Sequence, residues 1–368
     1  MRLAVILIHY HTPELAAAAV SALRADLAAA GLDVEWLLVD NGSDGRGRAL
    51  LDSLPVERID PGANLGYAGG VNLGVARSRA EWILLMNPDV MVLPGCVPAL
   101  VAALRDGAAV AGPRFWWDHS RRLLLPPADL QSRSAELRAL LAAHGPRGAA
   151  RARRHWRRHA RRHWRARGPL PSLSLSGSLL ALQRSAWERV GPFDEGFRLY
   201  FEETDWLRRA AAQGLPAVYL PAAEAVHLHA QSSVREPQSQ QWFEDSARRF
   251  REKHYGVWFA GLLQSLDRFL PRARDEVLAA APAAGAPDLT AFPFPLWIEI
   301  SPNPAGFPAA AEWLAASPDE PWRLPAEILE RLPPGELFLQ VVDEEGRELD
   351  RRKLLLSGPL PGGSIGKV

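Results

Sequence analysis

The sequence predicts an α/β domain on a mainly parallel sheet flanked by helices, followed by a small C-terminal β-rich, sandwich-like domain. Three observations predict it. Short continuous apolar runs, Leu3 to Ile8, Val34 to Val39 and Trp82 to Met86, suit strands buried on both faces. Helix-forming stretches separate such runs, an alternation that builds parallel sheets. Beyond an Ala/Pro-rich stretch, Ala279 to Pro295, the pattern changes to strands joined by turns.

A chain of 368 residues is long enough for two domains. Its 48% hydrophobic fraction can fill a core, its 23% charged fraction is ordinary, and a net charge of +1 names no partner. Cys96 is the one cysteine, so an intrachain disulfide and a cysteine-rich zinc site are excluded, which fits a reducing compartment. The apolar run from Leu3 is cut by His9-Tyr10-His11, too soon for a signal peptide. No apolar run reaches the ~18 residues of a membrane span, so a cytoplasmic protein is expected.

Leu3 to Ile8 reads as the first strand. Thr12-Pro13-Glu14 supplies an N-cap, a first-turn proline and an acid at the positive helix end. An alanine-rich helix follows to about Ala30, closed by Gly31. Val34 to Val39 ends in Asp40-Asn41-Gly42-Ser43, and Trp82 to Met86 in Asn87-Pro88-Asp89. Ligands of such sheets bind beyond the carboxyl ends of the strands, where these polar residues cluster. Arg147 to Arg167 carries ten Arg and no acid. If that segment is helical, Trp156, Ala160 and Trp164 share one face. Ser178 to Leu182 is a strand, Glu203 to Gln213 a helix stopped by Gly214, and Ala217 to Leu220 a strand. Phe243 to Leu270 is helical and amphipathic; Leu296 to Ile300, Glu336 to Val342 and Glu348 to Leu356 are strands, with a hairpin turn at Asp343 to Gly346. The expected domains are 1–280, with a basic insertion at about 120–170 and helices over 243–280, a linker at 281–295, and a β-rich domain at 296–368.

Five segments carry candidate chemistry. Asp40 can accept a hydrogen bond from a pyrimidine N–H or a ribose hydroxyl, or it can close an ordinary Asx-turn. The run Asn64-Leu65-Gly66-Tyr67-Ala68-Gly69-Gly70-Val71-Asn72-Leu73-Gly74 opens a helix with glycines that let backbone N–H groups approach an anion. It matches neither the dinucleotide fingerprint nor the P-loop, and a purely structural turn explains it equally well. Asn87-Pro88-Asp89 presents one carboxylate; a diphosphate-bound Mg²⁺ or Mn²⁺ needs only one or two protein oxygens, although the tripeptide is also common turn chemistry. In Gly191-Pro192-Phe193-Asp194-Glu195 and Tyr200-Phe201-Glu202-Glu203-Thr204-Asp205-Trp206, three acids within four positions repel one another. Asp205 can pair with Arg208 or Arg209 on its helix. Glu203 sits in the first turn, where the dipole favours the ionised form a general base needs. His227-Leu228-His229-Ala230-Gln231-Ser232 offers a metal ligand or a structural histidine; on an extended segment its two histidines face opposite ways.

In this order and spacing, the five segments resemble glycosyltransferase family 2, especially its rhamnosyltransferase-like branch, from Leu3 to about Ser233. The resemblance implies a GT-A (Rossmann-like) fold, an inverting mechanism with no covalent sugar–enzyme intermediate, and a divalent metal, Mg²⁺ or Mn²⁺. It places His9, Tyr10 and Thr12 along the nucleotide and Asp40 at the base. Asn64, Gly66, Gly70 and Asn72 fall in the nucleotide-sugar loop, with Asn87 beside it. Asp89 falls at the final acid of the metal-binding Asp-x-Asp, with His227 completing the metal shell. Glu203 falls at the catalytic base, and Arg198, Glu202 and Trp206 on the acceptor side. There are departures. His9-Tyr10-His11 stands where Asn-Tyr-Asn is usual, Asn87 where the first metal-site acid is usual, and Glu203 where Asp is usual. Arg198 stands where an aromatic is usual.

The resemblance implies transfer of a sugar, rhamnose from a dTDP-sugar, to a hydroxyl of a cell-envelope or surface glycan, free or lipid-linked. A UDP-hexose or galactofuranose donor on the same scaffold is the alternative, and a catalytically weak glycan-binding or scaffold protein is the alternative outside enzymes. The Arg/His/Trp segment suits peripheral docking to anionic lipid on the inner face of the cytoplasmic membrane, its Trp residues at the interface, or else a solvated helix. No nucleic-acid recognition motif accompanies the charge. The β-rich tail can bind glycan, mediate assembly or brace the catalytic domain.

Overall fold

The structure is a computed structural model, and it describes residues 2–28, 30–128, 131–228, 238–270, 278–282 and 287–356. The chain begins β1 (Arg2–His9), α1 (Pro13–Leu27), β2 (Asp33–Asp40), α2 (Gly45–Asp52), β3 (Glu57–Ile59) and α3 (Gly66–Arg77). It continues β4 (Trp82–Met86), β5 (Val90–Val92), α4 (Cys96–Arg105), β6 (Val110–Trp116), α5 (Arg133–Ala143) and α6 (Pro146–Trp164). Next come β7 (Leu170–Pro171), β8 (Leu179–Gln183), α7 (Arg184–Val190), α8 (Glu202–Ala212), β9 (Ala217–His227), α9 (Ser239–Tyr255) and α10 (Val257–Phe269). Last are β10 (Ala280–Pro282), β11 (Leu296–Ser301), β12 (Ala310–Leu314), α11 (Ala326–Arg331), β13 (Gly335–Asp343) and β14 (Glu348–Leu356).

Two compact units result. The first takes Met1–Phe115, Pro127–Arg133 and Arg165–Ser265, and its strands run in the order β3-β2-β1-β4-β8-β6-β9-β5, with β7 on β9. β3, β2, β1 and β4 are parallel, whereas β8 runs antiparallel to both β4 and β6, so the sheet is mixed. Apolar clusters cover both faces, which is why β1 and β4 are continuous apolar runs. Register positions the site. His9 pairs with Asp40 and Leu7 with Met86, so the Asn87-Pro88-Asp89 turn leaves the sheet at the same edge as His9 and Asp40. Pro13 opens α1 and Glu14 lies in its first turn, as expected, but the Thr12 side chain does not cap the helix. It turns to the His9 ring instead.

The second unit takes Trp116–Pro126, Ser134–Trp164 and Leu266–Val368. Two expectations change here. The basic insertion was assigned to the N-terminal domain, yet α6 belongs to this unit, and the tail is one five-stranded sheet, β10-β14-β13-β11-β12, not a sandwich. The physical reason is that a helix takes the place of the second sheet. Leu296, Ile298, Ile300, Leu337, Leu339 and Val341 point to one face and pack with Leu123, Trp322, Leu324 and Ile328. On the other face Trp297 and Val342 meet Trp156, Ala160 and Trp164 of α6. Arg157 is enclosed there as well, at 2.8 Å from Glu299 on β11 and 3.2 Å from Gln340 on β13. The three α6 residues do share a face, as the four-residue spacing predicts, but that face is buried on the sheet, so neither Trp sits at a lipid interface. The 281–295 linker is also partly structural, since β10 pairs with β14 and Leu289 enters the core. The Glu348–Leu356 strand and the turn before it are as predicted.

Candidate active site

The first part of the site is the edge formed by β1 and β2. His9 is fully buried; its Nε2 lies 3.0 Å from Ser43 Oγ and its Nδ1 3.3 Å from Thr12 Oγ1. Burial lowers its pKa to about 4, against a weaker opposing pull from Asp40, so the ring is neutral at pH 7. Asp40 is committed as well. One oxygen accepts from Gly42 N and Ser43 Oγ, the Asx-turn reading, and the other lies 3.4 Å from Arg58 Nη1. Tyr10 lies over the following turn, 3.8 Å from where a Gly42 side chain would begin, with its ring against His11.

The glycine-rich segment opens α3, and close packing explains its composition. Gly66 has φ +71°, and a Cβ there would meet the Arg198 carbonyl oxygen at 2.5 Å. A Cβ on Gly70 or Gly74 would strike Ile8 or Ile6 of β1, at 2.9 and 2.5 Å. Asn64 accepts from Gly66 N in an Asx-turn, and Asn41 ties the β2 end to this loop by donating to Gly66 O. Asn72 is not turned to the β1–β2 edge: its amide donates to Phe193 O and Glu195 and accepts from Phe193 N. That pattern pins the Gly191–Glu195 turn and corrects the nucleotide-loop expectation for Asn72.

The β4 exit meets β9. Antiparallel pairing sets Val90 opposite His227, and Leu228 N donates to Asp89 O, which brings His227 Nε2 to 3.5 Å from Asp89 Oδ1. Asn87 Oδ1 is buried with no hydrogen-bond partner. A carboxylate, an imidazole and an unsatisfied amide oxygen suit a small divalent cation whose other positions are filled by phosphate and water. No cluster of three His, Cys, Asp or Glu side chains is present among the described residues, so such an ion would depend on its substrate for much of its shell. His229, Ser232 and Ser233 lie outside the described residues.

The acid pair begins α8. Tyr200 and Phe201 precede it with φ of 68° and 70°, a left-handed turn of two non-glycine residues. Tyr200 packs on Phe243, and Phe201 on Phe243 and Phe250, which fix the turn. Glu202 is 4% exposed, and burial, followed by the adjacent Glu203 charge, pushes its carboxyl well above the ordinary range. Burial also raises Glu203, but the amides of Glu203, Thr204 and Gly177 hydrogen-bond its carboxylate and oppose the rise. Burial thus raises both carboxyls, that of Glu202 the further of the two. One Glu203 oxygen remains buried without a partner.

Tyr67 joins the parts. Its hydroxyl donates to Gly177 O at 2.7 Å, and its phenol is raised by burial, then by the charges of Glu202, Glu203 and Asp89. The Asp89 turn and Glu203, 114 positions apart in sequence, thus meet at Gly177-Ser178, since Glu203 packs on Gly177 and Ser178 O accepts from Asn87 N at 2.9 Å. Gly177 is as necessary, because a Cβ there would sit 3.0 Å from Glu203 Cγ. In the sequence Tyr67 and Asn41 are only members of their turns, and Gly177 and Arg58 stand outside every motif; a glycine just before the β8 run is the one signal for Gly177. Two acceptor-side expectations divide. Arg198 is exposed, its guanidinium 4.6 Å above the Trp242 ring. Trp206 is fully buried, stacked with Trp187 and donating to Gly191 O, so it is a core residue and touches no acceptor. Asp205 pairs with Arg209, as its spacing predicts, and with His254 and Lys253.

A model of glycosyl transferase family 2 matches residues 4–164. An N-acetylglucosaminyl-diphospho-decaprenol L-rhamnosyltransferase of Mycobacterium tuberculosis is 32% identical over 252 residues, covering 63% of this chain and 80% of that protein. A low-salt glycan biosynthesis hexosyltransferase of Haloferax volcanii is 24% identical over 221 residues, 59% of this chain and 66% of that one. Among solved structures, a mannosyltransferase from Pyrobaculum calidifontis with GDP-Man and Mn²⁺ is similar at 13% identity, with TM-score 0.41 over 72% of this chain and 73% of that one. The chain belongs to glycosyl transferase family 2. Within it the chain is rhamnosyltransferase-like, a sugar-transferring enzyme.

Proposed function

We propose that this chain is an inverting, metal-dependent rhamnosyltransferase that moves rhamnose from dTDP-rhamnose to a hydroxyl of a polyprenyl-diphosphate-linked glycan. The observation that carries the reading is that Gly177-Ser178 joins the two acid motifs: Gly177 packs on Glu203 and its carbonyl takes the Tyr67 hydroxyl, Ser178 O accepts from Asn87 N, and His227 lies beside Asp89. The mycobacterial relative, which acts on a lipid-linked acceptor, supports the choice of sugar and acceptor. The transfer takes place at the inner face of the cytoplasmic membrane.

Glu203 takes the proton of the acceptor hydroxyl as that oxygen forms its bond to the anomeric carbon. The bond from that carbon to the β-phosphate oxygen breaks on the opposite face, and dTDP leaves with the electron pair. Glu202, kept protonated, adds no second negative charge beside the attacking oxygen. Burial keeps Glu203 a stronger base than a solvated carboxylate. Tyr10 walls the nucleotide on a strand-end frame that His9, Thr12 and Asp40 hold through buried hydrogen bonds, and Asn64 and Gly66 shape the loop beside it. Asp89, His227 and the Asn87 oxygen would hold a divalent cation, whose contribution is to offset charge on the departing diphosphate.

The test is turnover of a nucleotide-sugar panel (dTDP-rhamnose, UDP-hexoses, UDP-galactofuranose, GDP-mannose) with a synthetic prenyl-diphosphate GlcNAc acceptor. Release of dTDP with formation of a rhamnosyl product supports the proposal. Turnover of a UDP-hexose alone supports the second reading, a different hexosyl donor on this scaffold, which the Haloferax relative favours. No turnover of any donor contradicts the enzyme reading and leaves a glycan-binding role.

A further inference from the structure

We propose that the outer face of α6 is a docking surface for an anionic lipid bilayer. The inner face of this helix is spent on its own unit. Arg153, Arg157 and Arg161 reach Glu348, Glu299 and the Glu344 carbonyl, while Trp156 and Trp164 pack on the sheet. The outer face is different. Arg147, Arg151, Arg154, Arg158 and Arg162 are all exposed, and no carboxylate among the described residues pairs with any of them. Their spacing of four, three, four and four positions sets them in one row along the helix axis, ~22 Å long at 1.5 Å per residue. No acid occurs between Glu136 and Glu188 to offset them. A single phosphate engages one or two arginines; five in a straight row match an extended array of negative charge.

Lipid is favoured over another polyanion by a second exposed face, argued on its own helix. In α10, Trp258, Leu262 and Phe269 fall on one line of the helix surface, and Trp258 and Phe269 are 80% and 81% exposed. Neighbouring Leu263 is buried, so the line is the side turned from the core. A bilayer offers an apolar layer below its headgroups for the aliphatic Leu262 as well as the two aromatics, whereas a sulfated polysaccharide or a base-paired duplex presents a charged, polar exterior. The inference does not depend on the sugar-transfer reaction.

The full-length chain is floated with phosphatidylcholine vesicles, with and without one-third phosphatidylglycerol, and the Arg151→Gln/Arg154→Gln/Arg158→Gln variant is compared after circular dichroism confirms its fold. The wild type is expected to float only with the anionic vesicles and to be released by 0.5 M salt. The triple variant is expected to partition about 100-fold less, since each basic residue at such a surface contributes ~1 kcal/mol. Trp258→Ser/Phe269→Ser is expected to weaken vesicle binding while leaving heparin retention unchanged. Equal flotation of the triple variant and wild type, or no flotation of wild type with heparin retention kept, overturns the proposal; the latter would assign the row to a soluble polyanion. Because flotation needs no donor, failure here is distinguishable from failure of the proposed reaction.

Discussion

At the scale of single residues, three expectations follow from the site. Gly177→Ala places a Cβ against the Glu203 side chain, so the carboxylate must shift. The neighbour must give by a few tenths of an ångström; since ~1 Å can cost about 10²-fold in rate, kcat should fall by up to about 10-fold with donor KM little changed, as steady-state kinetics would show. The pH profile gives the second. Glu203 is raised by burial, so it stays protonated to a higher pH than a solvated glutamate, and activity should fall with acid on a limb displaced above the usual carboxylate range. Glu203→Asp should keep a displaced limb and lose rate, whereas a limb at the ordinary value contradicts a buried base. His9 gives the third. Its folded pKa of about 4 lies below the ordinary 6.5, so the unfolded chain takes up the proton first. Its contribution is whole above pH 6.5 and declines between 6.5 and about 4, by up to ~3 kcal/mol. Denaturant unfolding of His9→Asn should show a flatter loss over that window. Of these residues Glu203, Asp89 and His227 stood out in the sequence through the order and spacing of their segments, which resemble the family; alone, turn and structural readings served Asp89 and His227 as well. Gly177 and Tyr67 were not legible, since a glycine's value lies in which side chain passes over it, and that contact spans 26 positions. Trp206 was misplaced for the converse reason: proximity in sequence to an active acid says nothing of helix face, and its indole points to the core.

At the scale of elements, α6 and its sheet show what pattern can and cannot settle. The buried Arg157–Glu299 pair has side chains 3% and 0% exposed, so removing one partner strands a charge. Arg157→Ala should destabilise the second unit by about 3–5 kcal/mol, while Arg157→Met with Glu299→Leu should recover most of that, both read by urea unfolding. A double variant no more stable than the single would contradict the pairing. Strands β1, β4, β8, β11, β13 and β14 were visible as apolar or alternating runs with turn residues at their ends. The two- and three-residue strands β3, β5, β7 and β10 were not, since so few residues carry no period. The buried inner face of the basic insertion was not legible because composition records charge and not partners; Glu299 and Glu348, the acids of that face, lie more than a hundred positions downstream. A helix in place of a second sheet is for the same reason invisible from the strands alone.

At the scale of the whole molecule, His9, Asp40, Asp89, Glu203 and His227 all belong to the first unit, and the second has its own sheet and core. The chemistry therefore depends on the first sheet's register, which sets three strand ends at one edge, and on the β5–β9 and β8 neighbours that deliver His227 and Gly177 to it. With one carboxylate and one imidazole, the cation site should be filled only with donor present, so EDTA should abolish transfer and Mn²⁺ should restore it; full activity in EDTA contradicts the metal. The claim beneath all of this is that the carboxylates of Asp89 and Glu203 serve one reaction in two different roles. It is tested most directly by titrating donor into Glu203→Gln and Asp89→Asn with Mn²⁺ while measuring transfer by each. The account predicts that Glu203→Gln binds donor as the wild type does but transfers 10²–10⁴-fold more slowly, and that Asp89→Asn loses Mn²⁺-dependent donor binding. Near-normal transfer by Glu203→Gln, or unchanged Mn²⁺-dependent binding by Asp89→Asn, would contradict it.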